Sequence, residues 1–145
     1  MRIEIDQSNK IEKTSRLTAI AYSNGVDKSI IITSKEKKLL QKHFRAIGKN
    51  KLFVILTFST LIYLLIKDII NKNMEIYIDR EYPGYDSFIK QRLVEISNHK
   101  LDRSQIHITQ IGKKSRAHKK AHRSMTTRYS DKQVGAKDII GLIKN

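Results

Sequence analysis

Two aspartates offer the chain's clearest chemistry. Asp6 closes the run Arg2-Ile3-Glu4-Ile5-Asp6, and Asp79 closes Met74-Glu75-Ile76-Tyr77-Ile78-Asp79. Each run alternates apolar and polar residues with the period of a strand, so each carboxylate falls at a strand's C-terminal end, where side chains line a crevice. Were the two strands neighbours, carboxylates about 4–7 Å apart could share a divalent cation and leave positions open for water and phosphate. Mg²⁺ or Mn²⁺ suits such oxygen ligands. Glu81, shortly beyond Asp79, is a further candidate ligand. The plainer alternative for each aspartate is a turn residue hydrogen-bonded to its own backbone, and for Glu81 a side chain facing solvent.

A second group is basic. His118-Lys119-Lys120-Ala121-His122 places two histidines on one face of a helix, a spacing that can bind zinc, but the flanking lysines repel a cation and favour phosphate. From Gly112 to Lys137 there are nine Lys/Arg and a single acid, Asp131. Lys113, Lys114, Arg116, Lys119, Lys120 and Arg123 form the candidate nucleic-acid-binding surface, whose contacts would hold a backbone without reading sequence. Tyr82 and Tyr85 are candidates for stacking on a base or, equally, for packing around the Pro-Gly turn. No Gly-rich phosphate loop, Ser-His-Asp arrangement or cysteine nucleophile is present, which argues against a P-loop nucleotide hydrolase or a covalent thiol mechanism.

Composition agrees with this chemistry. The 145 residues suit one domain, and 29 Lys/Arg against 14 Asp/Glu give a formal charge of +15. Such a field attracts DNA, RNA or an anionic membrane surface. There is no cysteine, so disulfides and thiolate metal sites are excluded, and a cytoplasmic location is expected. The apolar run Leu52–Ile66 is shorter than the ~20 residues that span a bilayer and is closed by Lys51 and Lys67-Asp68. A buried core helix is expected there, and no membrane span.

Three strands, Arg2–Asp6, Leu17–Tyr22 and Ser29–Thr33, joined by short connections including Asn24-Gly25, predict an antiparallel meander. A helix capped by Ser34 follows, with Leu39, Leu40, Phe44 and Ile47 at helical spacing and Gly48 at its end. After the apolar helix come the Met74–Asp79 strand, the turn Tyr82-Pro83-Gly84, a helix over Ser87–Ser97 and a last strand over Gln105–Ile111. Ser115 can cap the basic helix; Arg128–Asp131 reads as loop, and Ala136–Ile143 as a short terminal helix.

With the acids at its strand ends, this element order resembles the ribonuclease H-like superfamily, which includes ribonuclease H, retroviral integrases, Holliday-junction resolvases and the Piwi domain. The resemblance implies an α/β fold with a mixed five-stranded sheet (β-β-β-α-β-α-β-α) across residues 1–145, here carrying an extra buried apolar helix. It implies a metal-dependent nuclease in which Asp6 and Asp79 are catalytic and a ligand from the last helix joins them. No acid lies between Gly112 and Ser130, so His118 is the expected third catalytic residue, with His122, Asp131 or Asp138 as alternatives. The segments Ile78–Gly84 and Ile111–His118 are also similar to segments shared by a group of small uncharacterised archaeal proteins. A catalytically inactive nucleic-acid-binding protein on the same fold is the alternative function, and a small membrane-associated protein the third.

Overall fold

A computed structural model describes residues 1–143. The strands are β1 (Arg2–Ser8), β2 (Thr18–Ser23), β3 (Asp27–Ile32), β4 (Glu75–Asp79), β5 (Ile106–Thr109) and β6 (Lys132–Val134). The helices are α1 (Ser34–Ala46), α2 (Phe53–Ile66), α3 (Asp86–Ile96), α4 (Arg116–Thr127) and α5 (Ala136–Ile143). The strands form one mixed sheet in the order β5-β4-β1-β2-β3-β6. β1, β2 and β3 make the expected antiparallel meander, while β4 lies parallel to β1 and β5 parallel to β4.

The sheet has six strands rather than five. β6 runs parallel to β3, pairing Ile30 with Lys132 and Ile32 with Val134. Its sequence, Lys-Gln-Val, lacks the alternation that announces a strand. It is a strand because it occupies the free edge of β3, which would otherwise present unpaired backbone groups. The cap of α1 also differs from expectation. Thr33, not Ser34, accepts the Glu36 amide, and the Ser34 hydroxyl is instead donated to the Thr14 carbonyl.

Strand alternation divides the sheet into two unlike faces. Ile3, Ile5, Ile20, Ile30, Ile32, Ile76, Ile78, Ile106 and Ile108 all point to one side and pack with α1, α2, α3 and α5. α2 lies at the centre of this layer, and twelve of its fourteen residues are buried. A helix apolar on every side is what complete enclosure requires. No helix among the described residues is long and apolar enough to cross a membrane.

The other face carries small residues where α4 sits. Ala19, Ala21 and Ser29 of the sheet meet Ala117, Ala121 and Ser124 of the helix, all buried, and the Ser29 and Ser124 hydroxyls share a hydrogen bond of 2.7 Å. Small side chains let the helix approach closely, which brings its N-terminal turns beside the C-terminal end of β1. On the opposite side of the sheet, a buried lysine ties α1 to the loop after β1. Lys37 Nζ donates to the Lys10 and Lys13 carbonyls and to Thr18 Oγ1. Burial pushes its ammonium down to about 8.

Candidate metal centre

Asp6 and Asp79 come together because of register. In the parallel pairing of β1 with β4, Glu4 lies opposite Tyr77 and Ile5 opposite Ile78, so Asp6 and Asp79 come to the same level. Asp79 ends β4 as expected, but Asp6 does not close β1, which continues to Ser8 because Gln7 and Ser8 still pair with Ile20 and Ala19 of β2. With the isoleucines committed to the large core, Glu4, Asp6, Tyr77 and Asp79 all face the α4 side. Beyond β4 the Arg80 amide still donates to the Thr109 carbonyl, so the chain stays extended for one more step. Glu81 therefore falls on the same face as Asp79. One ligand oxygen from each of Asp6, Asp79 and Glu81 lies within 4.8 Å of the other two.

Each acid is held by the fold. Asp6 is 4% exposed. Its Oδ1 accepts the Gln7 amide at 2.8 Å, and its Oδ2 lies 2.8 Å from His118 Nδ1. Asp79 Oδ1 accepts the Ile111 amide at 2.7 Å, which folds the segment after β5 over the site. Lys10 Nζ donates to the Glu81 carbonyl. Tyr82 braces this corner from below: its hydroxyl accepts the Ile11 amide and a Gln7 amide proton and lies 3.3 Å from Glu12 Oε1. Its ring packs edge-on against Phe58.

Crowding three carboxylates changes their protonation. Burial, the hydrogen bond to Asp79, and the charges of Asp79 and Asp6 push the Glu81 carboxyl up to about 8, against a small opposing effect of Lys10. Asp6 is also raised, first by burial and then by the Asp79 charge, while the Gln7 amide and His118 pull it back. A proton on Glu81 lets it bond to Asp79 where two anions would repel. A divalent cation would resolve the same conflict by replacing that proton. The all-oxygen donor set fits a hard cation such as Mg²⁺ or Mn²⁺ better than zinc.

The site opens into a cavity of about 400 Å³ lined by Asp6, Asp79, Glu81, Arg80, Lys113 and His118, among others. A larger hollow of about 570 Å³ lies at the other end of β4, beside Asn71 and His99, but its carboxylate, Asp102, is already engaged by Ser104.

The other sequence candidates fall into separate groups. His118 reaches the site through Asp6, and the acid completing the converging set is Glu81. His122 lies one turn further along α4 and is exposed. Asp131 accepts the Ser29 amide beside β3, and Asp138 accepts the Gly135 amide at the start of α5, so neither belongs to the centre. Tyr82 is 8% exposed and bound at its hydroxyl, so it is a structural brace and not a base-stacking surface. Tyr85 is 49% exposed. Arg116 pairs with Asp27 at 3.3 Å, and Lys120 lies 3.7 Å from Asp131. Lys113, Lys114, Lys119 and Arg123 are exposed. The role of Lys10 at Glu81 had no signal in sequence, since it depends on how the loop after β1 folds back.

The chain matches no family model, and no curated protein or solved structure matches it.

Proposed function

We propose that this protein is a metal-dependent nuclease that hydrolyses phosphodiester bonds in DNA or RNA, on a ribonuclease H-like sheet extended by a sixth strand. The observation that carries this reading is the convergence of Asp6, Asp79 and Glu81 within 4.8 Å toward the C-terminal side of two adjacent parallel strands, in a chain of net charge +15. One acid on the first strand and a second at the end of the neighbouring fourth strand are what the superfamily resemblance implies, and the basic α4 beside them supplies affinity for phosphate.

Asp6, Asp79 and Glu81 would hold Mg²⁺ or Mn²⁺. When bound, such an ion polarises a water and stabilises charge on the departing oxygen. The chain's own groups do the rest. To serve as a ligand, Glu81 would release its proton to solvent and bind as the carboxylate. His118 uses Nδ1 on Asp6, which leaves Nε2 as the nitrogen able to take a proton from water or return one to the leaving oxygen. Lys113, on the cavity wall, places positive charge where a phosphate would sit.

A binding protein without catalysis is the second reading, favoured by one observation: α4 presents a histidine to Asp6 where the superfamily commonly offers a carboxylate. Mn²⁺ titration of the purified protein, followed by calorimetry, tests the centre itself. Saturable binding lost in Asp79→Asn and retained in Lys119→Ala supports the metal site; equal binding by all three proteins refutes it.

A further inference from the structure

The basic residues of α4 are not equivalent, and the difference is directional. Arg116 and Lys120 form one row of the helix, four residues apart, and lean toward β3, where they meet Asp27 and Asp131. His118 and His122 form another row on the opposite flank, toward β1 and the metal centre. Lys119 and Arg123 form a third row on the outer face between these two, opposite the buried Ala117, Ala121 and Ser124. Among the described residues, no hydrogen bond or ion pair engages the side chains of Lys119, His122 or Arg123. These three, with His118 and Thr126, line a concave site of about 420 Å³. His118 also lines the cavity of the carboxylate centre, so the two hollows meet at that one side chain.

We propose that this second hollow is the track of a single nucleic-acid strand. It places the phosphates next to the scissile one against Lys119, His122 and Arg123. The inference rests on the nuclease reading and adds to it the substrate form and the path. Four residues of helix, a rise of about 6 Å, separate His118 from His122, a step comparable with that between successive phosphates of an extended strand. A strand whose reacting phosphate lies at Asp6, Asp79 and Glu81 therefore passes over His118 and meets the next donors in order along α4. A single strand fits better than a duplex because the cations without an acidic partner on this helix, Lys119 and Arg123, form a single row. The second backbone of a duplex would meet Arg116 and Lys120, which are already paired with Asp27 and Asp131.

The pairing provides a charge-matched test. Lys119→Ala/Arg123→Ala and Arg116→Ala/Lys120→Ala each remove two positive charges from the same helix. Binding of a fluorescent single-stranded oligonucleotide is measured in EDTA across a salt series, so that metal and cleavage play no part. Each phosphate contact contributes about 0.7 to the log–log salt slope for a single strand. The Lys119/Arg123 variant should therefore lose about 1.4 from the slope, while the Arg116/Lys120 variant keeps a slope close to wild type. Equal losses in the two variants would overturn the track, since the helix would then act only as diffuse charge. Tighter binding to a duplex of the same length would overturn the single-strand assignment. The two proposals can fail separately. Binding that depends on Lys119 and Arg123 without any metal-dependent cleavage removes the nuclease reading and leaves the track. Cleavage indifferent to Lys119 and Arg123 removes the track and leaves the nuclease.

Discussion

Replacing Glu81 by glutamine should stabilise the metal-free protein at alkaline pH and abolish its response to metal. The ordinary glutamate value of 4.5 is carried to about 8 in the folded chain by burial and by Asp79. Between those values the folded state keeps a proton that the unfolded state has released, so stability falls as pH rises from about 4.5 to about 8. At about 1.4 kcal/mol per pH unit, the ceiling on that loss is about 5 kcal/mol. Glu81 is only part-buried, and solvent screening brings the expected loss to about 2 kcal/mol. Glutamine resembles the protonated acid, still donates to Asp79 and never ionises. Thermal melts in EDTA should give the two proteins similar midpoints at pH 5. At pH 8.5 Glu81→Gln should melt about 6 °C higher, at roughly 3 °C per kcal/mol for a chain of this length. Millimolar Mn²⁺ should raise the wild-type midpoint at pH 8.5 by binding the folded state alone, and leave the variant nearly unmoved. Parallel pH profiles for the two proteins would refute the crowded-carboxylate account.

Three further perturbations probe the scaffold and the site. Lys37→Met removes the donor shared by the Lys10 and Lys13 carbonyls and Thr18; leaving buried acceptors unpaired should cost about 1–3 kcal/mol in urea unfolding, with faster amide exchange in the loop after β1. Leu61→Ala, at a position 1% exposed in α2, should cost about 2–5 kcal/mol in the same assay. His118→Ala should reduce cleavage about 10²-fold or more if its Nε2 moves a proton, while Mn²⁺ affinity changes far less, because His118 touches Asp6 and is not one of the converging acids.

The site was legible in sequence to the extent that it depends on strand period. Alternation in Arg2–Asp6 and Met74–Asp79 gave both aspartates their face and their level, and the parallel pairing of β1 with β4 then joined them. The burial of Leu52–Ile66 was legible for a similar reason, because an apolar stretch too short for a bilayer has only a protein core to enter. Glu81 was harder to weigh. Its place depends on the chain staying extended past Asp79, which the Arg80-to-Thr109 hydrogen bond enforces and no residue type announces. β6 was missed because an edge strand of one apolar residue owes its form to β3 and not to its own pattern. For Tyr82 the sequence left stacking and packing around the Pro-Gly turn equally open, and only the fold decides for packing, because its hydroxyl is captured by Gln7 and Ile11 across the loop.

The most direct test of the central claim is cleavage of labelled single-stranded and duplex DNA and RNA by purified wild-type protein and Asp79→Asn, each with EDTA, Mg²⁺ or Mn²⁺. The account predicts Mg²⁺- or Mn²⁺-dependent hydrolysis by the wild type. It also predicts loss of that hydrolysis in Asp79→Asn, with nucleic-acid binding unchanged or tighter because one fewer negative charge faces the phosphates. No cleavage of any substrate by the wild type with either ion, or cleavage that survives Asp79→Asn, would contradict it.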